Sequence, residues 1–174
     1  AANGPVVVRG GGTRARGNLT GEVLETGGLA GVTLYEPGAL TLVVRAGTKL
    51  TEVEATLAAE NQRLPFEVPD MRALMARQGT STIGGVVADN ASGPRRVQAG
   101  ACRDSLIGLR MVDGHGTVIK NGGRVMKNVT GYDVARGLTG SWGTLAVLSE
   151  VTFKVAPLPE AVVTLVYPGL PDDL

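Results

Sequence analysis

One cysteine, Cys102, and one histidine, His115, are the whole supply of those two chemistry-bearing side chains in 174 residues. A single cysteine excludes an internal disulfide and any cysteine-based zinc cluster. His115 stands between Gly114 and Gly116, the setting of a turn tip rather than of a triad base. Aromatic residues make up only 3%, and 17 Lys+Arg face 16 Asp+Glu. Nucleic-acid platforms need stacking rings and a cationic surplus, so no nucleic-acid partner is expected. The uncharged run from Gly137 to Ser149 falls short of the ~18 apolar residues of a membrane-spanning helix. The opening Ala1-Ala2-Asn3-Gly4-Pro5 lacks a basic start and a long apolar core. It suggests a chain trimmed from a longer one, in a reducing, cytoplasmic setting.

What the sequence has in excess is glycine, 26 of 174 residues, about twice the ordinary share. The apolar fraction of 43% is that of a globular domain. Short β-branched runs at Pro5–Arg9, Val32–Tyr35 and Leu42–Arg45 predict strands, the last two separated by Pro37-Gly38. Leu50, Val53 and Leu57 follow Thr48 at helical spacing, predicting a helix capped by Thr48 that ends near Asn61. Leu64–Phe66 is expected to be extended. A second helix is predicted from Ile83 to about Asn90, capped by Thr82. Leu106–Val112, the turn Asp113-Gly114-His115-Gly116, and Thr117–Lys120 predict a hairpin. A helical turn or two is expected over Asp133–Leu138, one long strand over Thr144–Val155, and a last strand over Val162–Tyr167. Strands in groups with few helices between them indicate an α+β class rather than a doubly wound sheet.

Three glycine clusters stand out. Arg9-Gly10-Gly11-Gly12-Thr13 follows a strand, and consecutive glycines can aim backbone N–H groups at one anion. Arg9, Arg14 and Arg16 add positive potential there. An ordinary glycine-rich turn on a sheet edge fits the same residues. The loop also spells Gly10-x-Gly12-x-x-Ala15, but Arg16-Gly17-Asn18 stops the helix that a dinucleotide fingerprint must open. Gly79-Thr80-Ser81-Thr82-Ile83-Gly84-Gly85 is the second cluster. Its capped helix start is either a phosphate site with free N–H groups or a place of tight helix-on-sheet packing. The third, Gly140-Ser141-Trp142-Gly143-Thr144, either lets a flat ligand lie on the backbone or is a plain strand-entry turn.

In this order, RGGGT, TIGGVVADNASGPRR, AGACRDSLIGLRMVDGHGTVIKNGG and GYDVARGLTGSWGTLAVLSEVTFKV resemble the FAD-binding domain of the vanillyl-alcohol-oxidase (PCMH) type. SGPRR, AGACRDSLIG and VMKNVTGYD are most similar to the FAD-binding subunits of bacterial glycolate oxidases. The resemblance implies a two-lobed α+β fold over residues 1–158 with FAD between the lobes, and a linker or truncated segment over 159–174. It assigns Arg9, Gly10, Gly11, Gly12 and Thr13 to the pyrophosphate loop, and Thr82, Ile83, Gly84 and Gly85 to the pyrophosphate and ribose. Ala88, Ser92 and Gly93 would face the flavin region, Gly100 and Asp104 the adjoining loop. Ser141, Gly143, Thr144 and Val147 would line the adenine or isoalloxazine wall. The first loop ends in Thr13 where flavin-tethering relatives carry histidine, so FAD is expected to be non-covalent. The one-methyl departure at Ala146 is expected to tighten the flavin pocket.

The implied function is the FAD-binding component of a 2-hydroxy-acid oxidoreductase resembling glycolate oxidase. Its expected partners are a small 2-hydroxy acid and further subunits of a complex, which would place it peripheral to the inner membrane through them. No catalytic base is assigned. Arg95, Arg103 and Lys127 are candidates for the substrate carboxylate. Two alternatives stand beside this reading: an FAD-holding or electron-relay subunit that performs no oxidation, and an enolpyruvate-sugar-nucleotide reductase.

Overall fold

The computed structural model describes residues 4–14, 17, 19–123 and 131–166. Among them, strands β1 (Val6–Arg9) and β2 (Glu22–Glu25) form a small parallel sheet. Next come β3 (Val32–Glu36), a single 3-10 turn over Pro37–Ala39, β4 (Thr41–Arg45) and helix α1 (Leu50–Ala58). A two-residue strand β5 (Gln62–Arg63) precedes helix α2 (Ile83–Asp89). Two four-residue helices follow, α3 (Arg96–Ala99) and α4 (Cys102–Ser105). The hairpin β6 (Leu106–Val112) and β7 (Val118–Gly122), helix α5 (Val134–Leu138), β8 (Val147–Lys154) and β9 (Ala156–Pro157) complete the described elements. The class is α+β.

The main sheet has five antiparallel strands in the order β3-β4-β8-β6-β7. Only β3 and β7 are edges, so β4 and β8, distant in sequence, lie side by side with Thr41 opposite Lys154 and Arg45 opposite Glu150. Helix α2 packs on β4 and β8, and α5 on β6 and β7. The core between them holds Leu42, Val44, Val53, Leu57, Ile83, Val86, Val87, Val151 and Phe153, all with no exposed surface. Each such Val, Leu, Ile or Phe contributes about 1.5–3 kcal/mol through lost contact with water. Phe66 joins this core with its ring 5.8 Å from that of Phe153, tilted by 43°.

Several expectations are corrected by the tertiary structure. Thr48 does not cap α1; Lys49 occupies that position. The Thr48 hydroxyl instead donates to the Arg45 carbonyl at 2.7 Å and accepts the Gly31 N–H at 2.8 Å, sealing the turn after β4. Helix α1 stops at Ala58, short of Asn61, which has a left-handed φ of 54°. Beside Leu64–Phe66, expected to be extended, the short strand β5 lies at Gln62–Arg63, where β9 supplies a partner. β7 runs later than expected, from Val118 to Gly122. β8 starts at Val147 rather than Thr144, because the Thr144 N–H closes a turn onto Ser141. The strand expected over Val162–Tyr167 is absent over 162–166, where Val162, Val163, Leu165 and Val166 are exposed; Tyr167 lies outside the described residues. A β-branched run forms a strand only where a neighbouring edge accepts its hydrogen bonds.

Candidate cofactor site

Helix α2 organises the site. Thr82 caps it with an extended φ of −109°, and its hydroxyl accepts the Gly85 N–H at 3.4 Å. The next donors are already engaged: the Ile83 N–H bonds the Thr48 carbonyl at 2.9 Å and the Gly84 N–H bonds the Ala46 carbonyl at 2.7 Å. Leu50 donates to Ser81 at 2.8 Å, and Lys49 bridges Thr82. The helix start is thereby bound to the turn that leaves β4. The expectation of free N–H groups for a phosphate at Ile83 and Gly84 is corrected: protein carbonyls consume them.

The first two glycine clusters sit back to back. A Cβ on Gly10 would overlap the Thr82 hydroxyl, one on Gly11 the Thr80 carbonyl, and one on Gly79 the Gly11 carbonyl. At Gly11 and Gly79 backbone meets backbone, and at Gly10 backbone meets the cap hydroxyl, which is why neither loop carries side chains at those positions. The third cluster closes the other end of α2. Gly140 donates to the Val87 carbonyl at 3.0 Å and Trp142 to the Ala88 carbonyl at 2.9 Å, satisfying acceptors that a helix end leaves open. Trp142 and Gly143 turn through left-handed φ values of 59° and 75° to do so.

All three clusters meet in one cleft of about 60 Å³ along this helix. Gly10 comes from the first cluster, Gly84, Gly85 and Ala88 from α2, and Trp142 and Gly143 from the third. Val8, Thr26, Ala46, Ala146 and Leu148 complete its walls. Gly10 also lines an adjoining, more polar cleft of about 420 Å³ with Arg9, Gly11, Gly12, Ala76, Arg77 and Gln78. Gly12 has φ +70° and no atom within 4 Å of its added Cβ, so it faces open space. Gly100 and Asp104 fall on a third cleft of about 230 Å³, lined also by Pro65, Ile107, Lys154 and Val155. There the Asp104 carboxylate accepts the Ala101 N–H at 3.0 Å, holding the start of α4.

The remaining predicted residues do not line these clefts. Thr13 is buried against Arg14, Thr82 is the cap, and Ile83 is in the core. The Ser92 hydroxyl donates to Asn90 at 3.1 Å and accepts the Cys102 N–H at 3.3 Å, while Gly93 is packed on Glu67. Ser141 and Thr144 form the turn before β8, and Val147 begins that strand, half-buried. Sequence reasoning missed Val8, Thr26, Ala46, Ala76, Arg77 and Gln78, whose only signal is their place near glycines, and Leu148, which lies within β8.

The electrostatics also differ from expectation. Arg9 donates to the Glu25 carboxylate, whose hydrogen bond and negative charge raise the arginine's pKa. Arg14 is buried, and Arg16 lies outside the described residues. Arg95 is held by Glu67, while Arg103, half exposed, lies 3.8 Å from Asp104; Lys127 is outside the described residues. His115 sits exposed in its turn, where the Asp113 carboxylate accepts its N–H at 2.9 Å and that of Thr117 at 2.8 Å. No group of three or more His, Cys, Asp or Glu among the described residues is arranged to hold a metal. No described helix is long and apolar enough to cross a membrane.

Glycine backbone forms part of the walls of these clefts, and an apolar stretch adjoins a polar one bearing two arginines. A family model described as "FAD binding domain" matches residues 1–122. Glycolate oxidase subunit GlcE of Escherichia coli is 39% identical over 92% of this chain and 45% of its own length. Glycolate oxidase subunit GlcD of Bacillus subtilis is 36% identical over 92% of this chain and 34% of its own. A D-lactate dehydrogenase of Archaeoglobus fulgidus is 34% identical over 94% of this chain and 36% of its own. The chain thus spans less than half the length of these relatives. It belongs to the family of FAD binding domains.

Proposed function

We propose that this chain is the FAD-holding part of an oxidoreductase acting on a small 2-hydroxy acid of the glycolate or D-lactate kind. The observation that carries the reading is the convergence of three glycine clusters, remote in sequence, on one cleft along α2. The relatives named for glycolate oxidase subunits and D-lactate dehydrogenase support the substrate class. Two lobes are inferred from the cleft walls: Val8 and Gly10 belong to the β1 side, Ala46, Ala146 and Leu148 to the five-stranded sheet and its flanks. FAD would lie between them without a covalent tether. Residues 1–158 would form the binding domain, and 159–174 would lead toward further parts of the enzyme.

Within this reading, Gly10, Gly11, Gly12 and Arg9 border the polar cleft and would hold the diphosphate, with Arg77 beside them. Gly85 and Ala88 present bare backbone or a single methyl, leaving room for a flat or ribityl group. Trp142 contributes to the wall of the same cleft. When bound, FAD supplies hydride acceptance at the flavin; the protein supplies position and electrostatics. Assembly with further subunits, and through them a place beside the inner membrane from the cytoplasmic side, extends this reading.

Calorimetric titration of the chain with FAD tests it, followed by anaerobic addition of glycolate or D-lactate to the loaded protein. Saturable binding and loss of the yellow absorbance are expected. Absence of any binding heat would overturn the cofactor assignment. Tight binding with no bleaching by either acid would overturn the substrate assignment.

A further inference from the structure

Arg14 is the most buried charged residue of the described chain, at 8% exposure, and it lies one residue beyond the first glycine loop. Its guanidinium reaches three other segments. It donates to the Ser81 hydroxyl in the second glycine cluster, to the Pro69 carbonyl at 3.0 Å, and to Thr13 in its own loop at 3.3 Å. Its Nε stands 3.4 Å from the carboxylate of Asp89, the last residue of α2. That Nε is buried without a hydrogen-bond partner. Burial depresses the arginine's pKa and Asp89 pulls it back up. An arginine so placed costs desolvation, and a loop turn alone does not require one.

We propose that Arg14 is a positioning residue that clamps the first glycine loop onto the second and onto the end of α2, and so sets the width of the clefts. This rests on the FAD-site reading above. The geometry favours a clamp over a ligand contact, because both terminal nitrogens of the guanidinium are committed to protein oxygens and Arg14 lines neither of the two clefts that share Gly10. The planar fork matters: it serves Ser81 and Pro69 from two different nitrogens at once. A lysine ammonium is a point charge and cannot span both in that geometry.

The test uses the intact chain and the variants Arg14→Lys, Arg14→Ala and Ser81→Ala, each checked by circular dichroism for its fold. FAD affinity is read by quenching of flavin fluorescence, and amide hydrogen exchange is read without FAD. Arg14→Lys and Arg14→Ala are expected to weaken FAD binding about tenfold or more, as for loss of a charge-assisted hydrogen bond. Ser81→Ala is expected to have a smaller effect in the same direction. Without FAD, exchange should quicken over Gly10–Thr13 and Gly79–Ser81 while β4 and β8 keep their protection. A folded Arg14→Lys with wild-type affinity and wild-type loop exchange overturns the clamp. Should Arg14→Ala fail to fold, Ser81→Ala decides, and unchanged exchange in both loops overturns it. If the wild-type chain binds no FAD, the cofactor reading fails, while quickened loop exchange in Arg14→Lys still upholds the clamp.

Discussion

The Gly84 N–H donates to the Ala46 carbonyl at 2.7 Å, and a Cβ built on Gly84 would lie 2.7 Å from that same oxygen and 2.8 Å from the Ala46 methyl. Helix α2 therefore approaches β4 as closely as a glycine permits. Gly84→Ala should push the helix off the turn after β4 and destabilise the FAD-free fold by about 1–3 kcal/mol. Urea unfolding of the FAD-free chain measures this, and an unchanged midpoint would show that the contact is not tight.

Gly85, the next residue, behaves differently. Its Cβ would meet only the Thr82 hydroxyl, at 3.3 Å, and would otherwise project beside the cleft. Alanine in place of glycine inside a helix gains about 1 kcal/mol, which offsets the crowding of the cap. Gly85→Ala should thus leave the thermal midpoint within a few degrees of wild type while weakening FAD binding about tenfold. Wild-type affinity would remove Gly85 from the cofactor wall.

Cys102 has no exposed surface, and burial pushes its thiol well above the ordinary range. The native protein should resist a disulfide reagent and react fully only in denaturant. Cys102→Ser places a hydroxyl among apolar neighbours and should cost about 1–3 kcal/mol, with no effect on FAD affinity of the folded protein. Rapid labelling of native protein would contradict the burial.

Acid should destabilise the chain through three surface carboxylates. Arg72 donates to Asp70 at 2.7 Å and 2.9 Å and holds its pKa down to about 2. The Arg95 guanidinium lowers Glu67, and the Thr117 N–H, with that of His115, lowers Asp113. Each group keeps its charge in the folded state below the pH where the unfolded chain takes up its proton. Their stabilisation is complete above roughly pH 5 and drains away as pH falls through 4 toward 2. Urea midpoints should follow that course, and Asp70→Asn should flatten part of the slope. A midpoint that rises over the same interval would reverse the sign of the linkage.

Local signals in the sequence carried the elements that need only local chemistry. Thr82 caps α2 where expected, and Asp133 caps α5 by accepting the Arg136 N–H at 3.1 Å. Asp113 folds the hairpin turn before β7. Strand β2 was not legible, because Glu22-Val23-Leu24-Glu25 is exposed throughout and owes its state to pairing with β1. Helices α3 and α4, four residues each, are too short to show a period. The glycine clusters were visible, but their division of labour was not. A Cβ on Gly11, Gly79 or Gly84 would strike neighbouring backbone, whereas one on Gly12 would meet open space and one on Gly85 only the Thr82 hydroxyl. Only the partner across the gap, known from tertiary structure, separates the two duties.

The cleft along α2 draws its walls from Val8 to Leu148, and β4 finds its second neighbour only when Thr41 meets Lys154, so that cleft cannot form from the first half of the chain alone. A ribosome must release β8 before β4 is enclosed, and long-range antiparallel pairing of that kind is slow to nucleate. Closure of that cleft is consequently a late event in biogenesis, and until then the apolar faces of β4 and α1 await cover.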